Sequence, residues 1–170
     1  MKNLTPLALY LTALLPVALI AAPPEHAGHA MAPSAQHVMV KAAEVKWGAA
    51  PPALEPAAQA AVLAGDPGQA DGLFVLRLKA PAGFVIARHW HPTDEHVTVM
   101  EGDLTLEMGD GANRHSATFG PGDYVLLPAH MHHRASTRGG MVVQVHGKGP
   151  FEINYVDPKD DPRKRAPAAP

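Results

Sequence analysis

Apolar and polar residues exchange places at every second position through much of the middle of the chain. Phe74, Leu76 and Leu78 alternate with Val75, Arg77 and Lys79. Leu104, Leu106 and Met108 alternate with Thr105, Glu107 and Gly109, and Val143 and Val145 with Val142, Gln144 and His146. A two-residue period puts one face of an extended segment on a core and turns the other away from it. Further strands are predicted over 59–63, 97–101, 124–127 and 152–156. Turn signals fall between these runs: GDPG at 65–68, PAG at 81–83, EGD at 101–103, GDG at 109–111, GPGD at 120–123 and RGG at 138–140. Many short strands with regular punctuation predict an all-β sandwich or barrel. No run from 36 to 157 has the period of a long amphipathic helix. Neither a tandem repeat nor a second domain is evident.

The two ends break this pattern. Lys2 is the only charge before Glu25, and the stretch from Leu4 to Ala22 is apolar and ends in small residues. A basic start, an apolar middle and an alanine-rich end read as a secretory signal over 1–22. The alternative is an uncleaved anchor, since the stretch is near the roughly 20 residues needed to span a bilayer. Pro6 and Pro16 favour the signal, with cleavage after Ala22 or Ala30. The expected location is periplasmic or secreted, with no membrane association once the signal is removed. Residues 23–35 read as a flexible Ala/Pro/His linker. His26, His29, Met31, His37 and Met39 offer a soft-metal tail, but their spacing matches no defined site and a leader remnant is the simpler reading. Residues 158–170, charged and proline-rich, read as a disordered tail. That leaves 36–157 as the folded domain.

Composition narrows the chemistry. Of 170 residues 18 are Pro and 15 are Gly, about a fifth against a usual share of roughly 12%, which argues against bundles and coiled coils. The net charge of −2 gives no basic footprint for nucleic acid. Cysteine is absent, which removes disulfides, iron–sulfur clusters, thiolate zinc, cysteine nucleophiles and blue copper together. The eleven histidines nearly match the 14 Lys and Arg, so metal and proton chemistry come to the front.

Two segments concentrate them. In the first, His89 and His91 lie two apart on an extended run and share a face. Pro92 re-aims the chain, and Glu95 can return a carboxylate toward the imidazoles, with Asp94 as the competing carboxylate. Two neutral imidazoles and a carboxylate suit a divalent transition metal. In the second, Pro128-Ala129-His130-Met131-His132-His133 follows a short strand, and His133 opens the next one. Ala135 and Thr137 share the face of His133, while Ser136 shares that of His132, its rival as a ligand.

These residues resemble the cupin family. Gly83, five residues, His89-x-His91, three residues, Glu95, six residues and Gly102 match its first motif throughout. Gly122, Pro128 and His133 match its second. His130 stands where the family has the turn glycine, and Thr137 where it has Asn. The resemblance runs from about Ala58 to Val156. It implies a double-stranded β-helix, a small jelly-roll barrel, with one divalent transition metal (Fe, Mn, Ni, Cu, Co or Zn) held by His89, His91, Glu95 and His133. Such a centre leaves up to two open positions on an octahedral ion for a small-molecule substrate or ligand. Paired barrels are common in the family, which implies a possible homodimer.

The remaining expectations concern neighbours of the site. His96 should face away from it. Gln144 and His146 either line the barrel or face solvent, and His130 is placed near the pocket mouth. Trp90, between two ligands, points the other way. Phe84, Phe119, Tyr124, Phe151 and Tyr155 are expected in the core, and Arg88 and Arg134 facing out. No catalytic acid or base, Ser-His-Asp set or phosphate loop is evident. Two functions fit: an exported metal-dependent oxidoreductase (dioxygenase-like) or isomerase on a small molecule, and a non-catalytic periplasmic metal or small-ligand binding or sensor protein.

Overall fold

The computed structural model describes residues 37–165. The signal, the linker and residues 166–170 of the expected tail lie outside the described residues. Eleven strands form among those described: β1 Gly48–Ala49, β2 Gln59–Ala64, β3 Leu73–Ala80, β4 Val85–Trp90, β5 Glu95–Gly102, β6 Leu104–Met108, β7 His115–Phe119, β8 Tyr124–Leu127, β9 His133–Ser136, β10 Met141–Lys148 and β11 Asn154–Tyr155. They make two antiparallel sheets, ordered β1-β2-β3-β10-β5-β8 and β11-β4-β9-β6-β7. No described helix is long and apolar enough to cross a membrane.

The alternation seen in the sequence decides which faces meet. Phe74, Leu76 and Leu78 of β3, Val97 and Val99 of β5, and Val143 and Val145 of β10 form the inner face of the first sheet. Leu104, Leu106 and Met108 of β6, Ile86 of β4 and Ala135 of β9 form that of the second, and all join one core. Each fully buried side chain of this size contributes roughly 1.5–3 kcal/mol. The result is an all-β jelly-roll barrel.

Tight turns set the strand ends. Gly102 has φ +76°, and a Cβ there would overlap the Gly140 carbonyl, so only glycine suits the position. His130 takes the left-handed conformation, φ 62°, which imidazole residues tolerate better than most. The turn is held because its backbone N–H donates to the His91 carbonyl at 2.8 Å.

Two expectations are corrected. Tyr124 is 52% exposed, because β8 is an edge strand and Tyr124 projects from its outer face, its hydroxyl 2.6 Å from His96 Nδ1. The stretch expected as a tail beyond 157 is folded over its described part, with single 3-10 turns over Pro158–Asp160 and Pro162–Lys164. Asp157 and Asp161 accept from the Lys159 and Arg163 backbone N–H groups at 2.9 and 3.0 Å. Asp as the cap with Pro in the first turn is a local helix-start signal, and burial of Asp161, 4% exposed, anchors the segment.

Candidate metal centre

Four of the expected ligands come from the ends of three strands. His89 lies near the end of β4 and His91 just beyond it, while Glu95 and His133 open β5 and β9. His89 pairs directly with His133 across the β4–β9 ladder, after an irregularity between Ile86 and His89. Exposure is 2% for His89, 4% for His91, 9% for Glu95 and 2% for His133.

Each imidazole is oriented through its Nδ1. His89 Nδ1 lies 2.7 Å from the Ala87 carbonyl, His91 Nδ1 2.7 Å from that of Glu152, and His133 Nδ1 2.9 Å from that of Met131. A carbonyl only accepts, so Nδ1–H donates in each case, and in the neutral ring the lone pair is on Nε2. The ligand atoms of the three histidines lie within 4.8 Å of one another. Ring centroids stand 5.0 Å apart for His89–His91, 4.2 Å for His89–His133 and 5.2 Å for His91–His133. Glu95 Oε2 approaches His91 Nε2 to 3.3 Å and His133 Nε2 to 3.5 Å.

The electrostatics fit a cation. His91 Nε2 is fully buried without a hydrogen-bond partner, and buried polar atoms are rarely left so. Burial, followed by His133 and His91 nearby, pushes the His89 imidazole down to about 3. Burial works against ionisation of Glu95, but His91 and His133 outweigh it and hold the carboxyl well below its usual range. Burial also opposes protonation of His91, yet the Glu95 carboxylate raises it overall. Neutral imidazoles beside an ionised carboxylate are the donor set of a divalent transition ion, and the residues present can hold one.

The competitors fall away from this cluster. Asp94 is exposed and accepts from the Ala129 backbone N–H at 2.8 Å. His132 Nδ1 lies 2.9 Å from Asp110 Oδ2. His96 and His146, directly opposed on β5 and β10, stack on the outer face at 4.9 Å. Gln144 accepts from Arg77 Nε at 3.2 Å on that face. His130 is exposed, 5.0 Å from the Trp90 ring, and does not line the cavity. Arg88 and Arg134 pair outside with Asp110 and Glu107. His37 and Met39 are exposed; the other members of the soft-metal tail lie outside the described residues.

A cavity of about 510 Å³ leads to the triad. Leu76, Leu78, Ile86, Val145 and Phe151 wall it, and His89, His91 and Glu95 are among its lining. Val62, 56% exposed, also lines it, so the cavity reaches the surface. A depression of about 560 Å³ on the outer face, lined by His96 and His146, shares no residue with the triad.

Sequence reasoning missed what the C-terminal stretch contributes. The Phe151 ring stacks on His91 at 4.4 Å and 16°, beside the Glu152 carbonyl that orients the same imidazole. Arg163 lines the cavity. The alternation through Phe151–Val156 and the paired Asp-Pro steps were the available signals.

Residues 76–146 match the family model described as cupin domain. A search of curated proteins found no match. Among solved structures, the chain is similar to the polyketide cyclase RemF from Streptomyces resistomycificus, with TM-score 0.61 and 18% identity over 75% of this chain and 90% of that one. It is similar to KdgF from Halomonas sp., with TM-score 0.51 and 20% identity over 68% and 96%. An RmlC-like cupin from Shewanella frigidimarina gives TM-score 0.51 and 14% identity over 68% and 94%. At these identities the likeness is one of fold. The jelly-roll barrel and the two motifs agree with the family-model match, which supports a cupin domain over residues 76–146.

Proposed function

We propose that this protein is an exported metal-dependent enzyme, a dioxygenase-like oxidoreductase or an isomerase, acting on a small and largely apolar molecule. One observation carries the reading: a surface-reaching cavity of about 510 Å³ ends on His89 and His91, whose Nε2 lone pairs converge with that of His133. A purely structural ion needs no such access. His89, His91, His133 and Glu95 would hold the ion. Once bound, a divalent ion supplies Lewis acidity and open positions for an oxygen donor.

The chain's own residues set the conditions around it. Aliphatic walls from Leu76, Leu78, Ile86 and Val145 keep water off the donor set and grip an apolar body. Backbone carbonyls fix the three imidazoles, so no reorganisation is needed on binding. The ionised Glu95 offsets the charge of the ion.

A second reading, a non-catalytic binding or sensor protein, is favoured by the sparse polar lining. Beyond the donor set, Glu152 and Arg163 are the only charged residues among the described lining. Metal-loaded protein incubated with a panel of small oxygenated aromatics and keto acids separates these. Oxygen uptake with a mass gain in product supports the oxygenase, and a mass-neutral product supports the isomerase. Saturable binding without turnover supports the binder, and neither binding nor turnover overturns all three.

Export is supported by Lys2 and the apolar stretch to Ala22. Fractionation with N-terminal mass analysis tests it. A mature chain starting after Ala22 or Ala30 is expected, and a full-length chain confined to the cytosol contradicts it.

A further inference from the structure

Among the described residues lining the cavity, Arg163 is the only cation. It is fixed rather than loose. Its Nε donates to Asp161 Oδ1 at 2.8 Å and its Nη2 to Asp161 Oδ2 at 2.9 Å. Nη2 also donates to the Ile153 carbonyl at 3.0 Å. Asp161, the fork's partner, is 4% exposed. The segment that carries the pair is strapped to the turn at 53–55, whose residues also reach the cavity. Arg165 pairs with Glu55, and the Tyr155 hydroxyl donates to the Ala53 carbonyl at 2.7 Å.

That arrangement uses one edge of the guanidinium and leaves another. Nη1 has no hydrogen-bond partner among the described residues. A guanidinium presents five N–H donors in a rigid fork, so a carboxylate on the Nε–Nη2 edge aims the group without exhausting it. Arg163 is 44% exposed and also borders a surface depression with Trp90, Asn154 and Lys164, which puts it at the rim of the cavity. Asp161 and the exposed Glu152 balance its charge there. Selection at this rim therefore acts through a short hydrogen bond to an oxygen acceptor and not through long-range attraction.

We infer that Arg163 is a specificity-determining residue: through Nη1 it receives an acceptor oxygen, a carboxylate or a carbonyl, on the end of the ligand remote from the histidine triad. The inference rests on the reading of the site given above. The ligand class it defines has an apolar body, one oxygen function directed to the triad and a second at the rim.

The test uses linear monocarboxylates and α,ω-dicarboxylates matched in carbon number, titrated into zinc-loaded protein by calorimetry. Wild type is compared with Arg163→Gln, Arg163→Lys and the neighbouring control Lys164→Gln, each checked for zinc content and melting temperature. For at least one chain length, wild type is expected to bind the dicarboxylate more tightly than its matched monocarboxylate by roughly tenfold or more, the worth of a hydrogen bond to a charged group. Arg163→Gln should erase that ratio without losing zinc, Arg163→Lys should retain part of it, and Lys164→Gln should keep it. A merely structural role would weaken both ligands together and leave the ratio intact. The inference is overturned if no length shows the preference or if Arg163→Gln preserves it. If the chain takes up no zinc, the reading of the site fails instead, and the same comparison on the metal-free protein still decides the role of Arg163.

Discussion

The three imidazoles are set by single backbone carbonyls. Because Ala87, Glu152 and Met131 each accept an Nδ1–H, the neutral tautomer with a bare Nε2 is built into the fold. This has a pH consequence in the metal-free protein. His89 is pushed from 6.5 to about 3 when folded, so between those values the unfolded chain binds a proton that the folded chain refuses. Stability must fall as pH drops through that window. Glu95, held below its ordinary 4.5, adds a loss of the same sign below that value. His91, held above 6.5, acts oppositely, stabilising at low pH and losing that contribution as pH rises. Thermal unfolding of chelated protein should show stability dropping by about 2–3 kcal/mol from pH 6.5 to 4, with a shallower slope in His89→Asn. A flat profile would contradict a buried neutral imidazole. At Gly102, Gly102→Ala should cost more than about 1 kcal/mol, read from urea midpoints, because φ is +76° and the Gly140 carbonyl blocks the Cβ. An unchanged midpoint would remove the steric account. The shared face of His89 and His91 was legible because side-chain alternation is a local property, while the approach of Glu95 and His133 to them came from the motif resemblance. The partner of His91 was not legible: the Glu152 carbonyl is 61 residues away, and backbone carbonyls leave no mark in a sequence.

At the scale of elements, β3, β6 and β10 could be read because each alternates cleanly and buries its apolar face. β7 could not. His115–Phe119 carries small and polar residues on the edge of its sheet, where no core demands a pattern. The segment beyond 157 was misread for a related reason: its charge and proline content resemble a tail, while its two Asp-Pro steps cap 3-10 turns. These turns place Arg163 beside the cavity, so an element that looked dispensable shapes the site. The contribution of β6 is testable by truncation. Leu106 is 1% exposed, and Leu106→Ala should cost about 2–5 kcal/mol in equilibrium unfolding. A cost below 1 kcal/mol would mean that the two sheets do not close on this residue.

At the scale of the whole molecule, the two sheets among the described residues have aliphatic inner faces, and the strand ends bring a buried cluster of His89, His91, Glu95 and His133 together between them. A chain without cysteine has no covalent staple, so an ion that binds only the folded state is a direct source of stability. At a free metal concentration of 100 times Kd it should add about 2.7 kcal/mol, and chelation should lower the melting temperature by about 5–10 °C. An unchanged melting temperature after verified metal removal would break that linkage. The central claim is that the triad and Glu95 hold a metal ion, and elemental analysis tests it most directly. Protein purified without chelators should carry one transition-metal ion per chain, and the His89→Ala/His133→Ala variant, folded by circular dichroism, should carry none. No metal in the parent even after reloading, or an equal content in the variant, would contradict the account.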